Sequence, residues 1–312
     1  MTAILQCTLL TILSVEFIIG NLGNAFMALV NIMDWVKRRK ISSVDLILSA
    51  LAVSRIAWLW LILMMLLISA LSPASLITEK DVRILNISWT MTNHFSIWLA
   101  TCLSIFYFLK IANFSSSLFL FLKWRVKKVV PVTMVVSLLF LFINIIVINI
   151  KIDTWFVGCK RNISYITRSN SSGQFFRLIL FCNIMFALIP FTFFLLTFLL
   201  LIFSLWKHLK TIQHTTKGSG DVSTTAHVKV LQTVVSFLLL YTIFFLSLIF
   251  QLWNIGSQKK NTEILFFTVM ELAFPSGHSC VLILGNTKLR WAFLSVMQCL
   301  RCRSKDAEPL GS

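Results

Sequence analysis

The segment FPSGHSCVLILGNTKLR (274–290) sets a proline, a glycine, a histidine and two serines inside an apolar run that ends on basic residues. The preceding TEILFFTVMELA (262–273) extends that run to a length able to cross about 30 Å of hydrocarbon. Hydrocarbon tolerates polar groups poorly, so His278 and Ser279 must face other helices or water. Pro275 removes one backbone donor and allows a kink. The segment is therefore one helix of a membrane-embedded bundle, with a polar inner half.

Composition extends this to the whole chain. Of 312 residues, 58% are apolar and 12% charged, and the mean hydropathy is +0.88. Soluble domains carry about 25% charged residues. The formal charge of +17 could suit nucleic acid, but the basic residues lie in short clusters between apolar runs. That placement fits loops beside lipid headgroups, and no nucleic-acid partner is expected. Apolar runs at about 4–33, 44–71, 87–112, 130–150, 178–206, 229–255 and 263–285 are too long for strands. The fold class is all-α: a seven-transmembrane helix bundle over 1–286, with a tail over 287–312.

Lys37 to Lys40, Lys110, Lys123, Arg125, Lys127, Lys128, Lys207, Lys210 and the tail put the excess of positive charge on one side. That side should be cytoplasmic, which places the N-terminus outside and the C-terminus inside. The first run has no basic leader and no small-residue cleavage site, so it reads as a retained span. A long outer loop is expected near 151–177. It carries the glycosylation triplets NIS at Asn162 and NSS at Asn170. Asn86 lies close to the membrane and Asn113 on the inner side, so neither is taken as an acceptor.

After the seventh span, Leu289, Phe293, Val296, Met297 and Leu300 share one helical face. A short amphipathic helix on the inner leaflet is expected there. Cys299 and Cys302 are either palmitate acceptors or free thiols. The seven cysteines form no metal or disulfide framework, and no cofactor is implied.

Several polar residues fall inside spans. Arg55 in the second span needs partners, and Asn24 with His278 and Ser279 can supply them as an interhelical clamp. Such a clamp can also be the bistable element of a switch. Trp89, Asn93 and Ser96 share one face of the third span. Trp89 is either a belt residue or a pocket aromatic, and Asn93 one turn deeper favours a wet cavity. His94 is expected between helices. Glu271 is either a neutral hydrogen-bonded acid or a carboxylate facing water.

PSGH is also a motif of membrane-bound lipid phosphatases, where the histidine does acid/base chemistry. That family adds KxxxxxxRP before it and SRxxxxxHxxxD after it. This chain has no Arg-Pro dipeptide, and its Ser54-Arg55 precedes PSGH and lacks the following histidine. Phosphoryl transfer needs a cationic cradle and an in-line nucleophile, so the enzyme assignment fails.

The segment instead resembles the seventh helix of type 2 taste receptors, the bitter taste receptors, whose pattern runs P-S-x-H-S, L-I, N-x-K-L. Similar blocks follow in order along most of the chain. They are GNLGNAFMALVNIMDWVKRRKISSVDLILSALAVSRI, TNHFSIWLATCLSIFYFLKIANFS, LIPFTFFLLTFLLLIFSLWKHLKTIQ and STTAHVKVLQTVVSFLLLYTIFFLS. The resemblance implies a multi-pass plasma-membrane G-protein-coupled receptor for small bitter agonists, coupled to a gustducin-like heterotrimeric G protein. It implies agonist contacts at Trp89, Asn93, Thr268 and Glu271. It implies switch residues at Tyr241, Asn24, Arg55, His278 and Ser279, and glycosylation near Asn162. Tyr107 and Lys110, in FYFLK, stand where many other receptors carry an acidic-arginine motif. With Lys123, Arg125, Lys207 and His208 they are expected on the surface facing the G protein, where the basic residues also suit anionic membrane lipid. Receptor oligomers are left open.

The third inner loop departs from the family's lysine-aspartate-proline run by carrying Gly218 and Gly220. The outer end of the third span has no cysteine, so Cys159 lacks an evident disulfide partner. Among other membrane classes, a transporter should show duplicated halves and a channel a charged ring or carbonyl filter, neither of which is visible. A vomeronasal-type receptor shares the hydropathy, but SLWKHLK and the seventh-helix block argue against it.

Overall fold

The computed structural model describes residues 2–39, 42–71, 78–112, 114–161, 165–215, 222–254 and 261–306. Among them are nine helices and no strand: α1 Thr2–Arg38, α2 Ser43–Leu71, α3 Glu79–Ile111, α4 Ser117–Trp124, α5 Val126–Arg161, α6 Tyr165–Thr215, α7 Val222–Asn254, α8 Asn261–Gly285 and α9 Thr287–Asp306. Seven of them, all but α4 and α9, are long and apolar enough to cross a membrane. In lipid each backbone donor and acceptor must be satisfied within its own segment, which a helix achieves.

Helices α1, α2, α3, α6, α7 and α8 pack in a ring, each against the next, with α8 closing on α1. Helix α5 leans on α3 and α6 from outside, and α2 also touches α8 across the interior. Leu22, Leu29, Val132, Phe142, Phe193 and Phe250 stay exposed on the outward faces. On a membrane helix such a surface is where lipid chains pack. The α1–α8 seam depends on Gly20. A Cβ there would lie 2.5 Å from Ser276 Oγ and 2.9 Å from Leu59 Cδ1. With no side chain in the way, Ser276 Oγ donates to the Glu16 carbonyl at 2.8 Å.

Helix ends differ from the hydropathy reading. Helix α3 begins eight residues before the expected 87, at Glu79, because a capping box starts it. Thr78 Oγ1 accepts from Asp81 N, and Asp81 Oδ2 accepts from Thr78 N. The long loop expected at 151–177 is mostly helix, as α5 runs on to Arg161 and α6 starts at Tyr165. Polar sequence ends a hydrophobic run without ending a helix. Here Trp155 stacks on Phe175 with centroids 4.5 Å apart, tying the two extensions together. Helix α4 was not anticipated either. Ser116 caps it by accepting from Phe119 N, and Phe119 packs on Phe108.

At one end of the bundle Lys288, at the start of α9, reaches Asp34 at 2.8 Å, Asp45 at 3.1 Å and Asn31 at 3.1 Å. At the other end Arg83 joins Glu79 at 3.0 Å, Asp153 at 2.5 Å and Asn149 at 2.7 Å, linking α3 to α5. The described thiols of Cys7, Cys102, Cys182, Cys280 and Cys299 are unpaired. The side chains of Cys159 and Cys302 lie outside the described residues.

Candidate functional site

Arg55 is fully buried on α2. Its Nη2 meets His278 Nδ1, and its Nη1 donates to Ser279 Oγ at 3.4 Å. Ser279 Oγ lies 2.8 Å from Asn24 Oδ1 and 2.7 Å from the Pro275 carbonyl. Asn24 Nδ2 donates to the Gly20 carbonyl at 2.7 Å. The Pro275 carbonyl also lies 3.5 Å from Asn24 Nδ2. The four residues expected as a clamp, Asn24, Arg55, His278 and Ser279, therefore form one network across α1, α2 and α8.

Tyr241 lies beside this network and is also fully buried. Its ring packs on Phe274 at 5.2 Å, Phe191 at 5.2 Å and Phe194 at 5.4 Å. His278 stacks on Phe237 at 3.8 Å, and the Arg55 guanidinium sits 5.3 Å from the Phe274 centroid. An aromatic cluster on α6, α7 and α8 thus abuts the polar clamp.

A second polar tier lies nearer the Arg83 end. On α3, Trp89 is half-buried against the core, while Asn93 and Ser96 are buried. Asn93 Oδ1 and Ser96 Oγ make no hydrogen bond. Thr90 Oγ1 and Asn144 Nδ2 both donate to Asn183 Oδ1, at 3.2 and 3.1 Å. His94 faces α5, with its ring 5.8 Å from Trp98, which stacks on Phe140. On α8, Thr268 bonds its own helix at the Ile264 carbonyl, and Glu271 Oε1 accepts from Gln251 Nε2 at 2.5 Å. No hydrogen bond or ring contact described here joins Trp89 or Asn93 to Thr268 or Glu271. The α3 pair and the α8 pair stand on different walls of the ring.

At the Lys288 end, Tyr107 is half-buried and its hydroxyl neighbours Asn286. Lys110 is exposed near the Phe106 ring, and Arg125 is exposed with its guanidinium 4.5 Å from the Phe121 centroid. Lys123 Nζ donates to the Ala112 carbonyl at 2.9 Å, closing α4 onto the end of α3. Lys207 is exposed on α6. The side chains of His208 and Asn170, and the whole of Asn162, lie outside the described residues.

Sequence reasoning missed Lys288, Asn183, Asn144 and Gln251. Each is a polar residue in or beside an apolar run, the signal that singled out Arg55. Asn183 could have been found as an amide with no local capping role.

The family model "Taste receptor protein (TAS2R)" matches residues 1–301. The chain is 59% identical over 308 residues to taste receptor type 2 member 140 of Rattus norvegicus, covering 99% of both chains. It is 55% identical over 311 residues to taste receptor type 2 member 14 of Macaca mulatta, covering 100% of this chain and 98% of that one. With the Homo sapiens member 14 it shares 53% over 300 residues, 96% and 94% of the two chains. A match over nearly every helix, on a seven-helix bundle with a buried Arg55 clamp, leaves one assignment: the chain belongs to the type 2 taste receptor family.

Proposed function

We propose that the protein is a G-protein-coupled receptor at the plasma membrane that detects small bitter compounds. In this reading agonists enter from the outer side and contact Trp89, Asn93, Thr268 and Glu271. The observation that carries it is on α3, where the Asn93 carbonyl oxygen and the Ser96 hydroxyl are buried without a hydrogen-bond partner beside half-buried Trp89. Unpaired buried polar atoms cost about 1–3 kcal/mol each, and a ligand bringing polar groups to them offsets that cost. An apolar pocket with few polar contacts recognises broad chemistry.

An agonist changes the receptor only if it prefers one helix packing over another. Asn24, Arg55, His278, Ser279 and Tyr241 are the proposed switch, because a hydrogen-bonded core has discrete alternatives. In this reading the N-terminus is outside, residues 1–286 form the receptor domain, and 287–312 are a cytoplasmic amphipathic helix and tail, the helix on the inner leaflet. Tyr107, Lys110, Lys123, Arg125, Lys207 and His208 then face a gustducin-like G protein and anionic lipid headgroups.

The test is expression with a gustducin-like G protein and a calcium readout against a chemically varied panel of bitter compounds. Agonist-dependent signals that vanish when the G protein is omitted support the proposal. Silence across the panel from receptor present at the cell surface counts against it.

A further inference from the structure

The short helix α4 has two unlike sides. Toward the bundle, Phe119 is buried and packs on Phe108 and Phe114, with centroids 5.5 and 5.3 Å apart. Lys123 Nζ is held on that side by the Ala112 carbonyl. Away from it, Leu120, Phe121 and Trp124 are exposed, Trp124 to 88%. At about 100° per residue these three share one side of the helix. They form an apolar stripe that no described residue covers.

The stripe has a fixed depth. Only Arg125 separates Trp124 from Val126, where α5 begins, and Val126–Gly158 is long and apolar enough to cross a membrane. The stripe therefore lies where hydrocarbon meets headgroups, the zone in which tryptophan is enriched. Charge at this depth has one sign. No Asp or Glu occurs between Asp81 and Asp153, or between Asp153 and Asp221. The Arg125 guanidinium sits 4.5 Å from the Phe121 centroid, and Lys127 and Lys128 are exposed. None of the three takes part in a described salt bridge. On α6 the pairing recurs, with exposed Trp206 5.6 Å from Lys210 Nζ. Phe203, one turn before Trp206, stacks on Phe114 beside α4.

We propose that α4 is seated in the bilayer interface, with Leu120, Phe121 and Trp124 among acyl chains and Arg125, Lys127 and Lys128 on the phosphates of anionic phospholipid. Long basic side chains can lay their stems along apolar surface and keep the charged head at the phosphate. Lys127 and Lys128, successive on a helix, point about 100° apart, so the cations spread rather than converge. That suits a leaflet of singly charged headgroups, of the phosphatidylserine class, better than one multiply charged headgroup. The proposal rests on the lipid part of the function proposed above and deepens it. This surface goes to lipid rather than to the G protein.

The test uses purified full-length receptor in nanodiscs of phosphatidylcholine brominated high on its acyl chains, where bromine quenches tryptophan on contact. The emission lost in Trp124→Phe is that of Trp124. It should be quenched relative to unbrominated discs. Exchanging unbrominated phosphatidylcholine for phosphatidylserine at constant bromine content should deepen the quenching. High salt, which screens exposed charge, should remove that increment from the unmodified receptor. Combined Arg125→Gln, Lys127→Gln and Lys128→Gln should remove it at low salt, with quenching in neutral lipid retained. Unquenched Trp124 in both lipids overturns the seat in the bilayer and leaves the stripe to a protein partner such as the G protein. No increment with phosphatidylserine, or one kept by the triple variant, overturns the role of the three cations. Neither agonist nor G protein is present, so failure here leaves the receptor reading standing.

Discussion

Lys288 lies 2.8 Å from Asp34, and this contact ties the start of α9 to the end of α1. The same ammonium is 3.1 Å from Asp45 at the start of α2. One cation thus holds two carboxylates that would otherwise repel each other. Partly exposed pairs are worth about 1 kcal/mol each at most, but a shared cation also screens the like charges. Lys288→Met should lower the Tm of the purified receptor by an amount corresponding to about 1–2 kcal/mol. Adding Asp45→Asn should recover part of it. A double variant less stable than Lys288→Met alone would disprove the shared-cation account.

Gly20 and Gly23 make a matched comparison on α1. A Cβ at 20 would press on Ser276 and Leu59, whereas one at 23 would meet Ser279 Cβ at an ordinary 3.5 Å. Overpacking a tight seam costs about 1–3 kcal/mol. Gly20→Ala should therefore reduce folded receptor at the cell surface, and Gly23→Ala should be close to neutral. Equal surface levels for the two variants would place the tight contact elsewhere.

Asn183 accepts from helices α3 and α5 at once. Asn183→Leu strands Thr90 and Asn144 together, and leaving buried donors unpaired costs about 1–3 kcal/mol each. Its thermal unfolding should drop by more than that of Thr90→Val, which strands nothing on α5. The reverse order would mean that the node is not shared.

For the agonist contacts, Asn93→Ala should raise the half-maximal agonist concentration about tenfold, equivalent to roughly 1.4 kcal/mol. Trp89→Ala should do at least as much, through lost ring contact. Surface staining must stay within the normal range for the comparison to count. Unchanged dose–response curves in both variants would remove α3 from the pocket.

Orientation has its own test. With the N-terminus outside, Asn162 and Asn170 meet the glycosylation machinery. Asn162→Gln and Asn170→Gln should each speed migration on a denaturing gel, and the double variant should match enzymatically deglycosylated receptor. A receptor whose mobility ignores both substitutions and the enzyme would argue for the opposite orientation or unused acceptors.

The bundle and the Arg55 network were legible in the sequence for one reason: hydrocarbon penalises both unpaired backbone and unpaired charge. An arginine in an apolar run therefore demands polar neighbours, and only a few spans offer them. The helix ends were less legible. Hydropathy marks where lipid stops, whereas capping at Thr78 and ring stacking at Trp155 and Phe175 decide where the helix stops. The Asn183 node was missed because amides pair without announcing a partner. Its two donors come from spans 39 and 93 residues away, and nothing local links them.

Helix α6 has 51 residues, so at about 1.5 Å per residue it is roughly 77 Å long, more than twice the hydrocarbon thickness of about 30 Å. Pro190 lies near its middle, where a missing donor weakens the ladder. The arm from Pro190 to Thr215 extends about 38 Å. Bending by about 10° at the proline would swing its tip about 7 Å, by the same helix geometry. Such a rod works as a lever, turning an adjustment smaller than a side chain into a displacement wider than a helix turn.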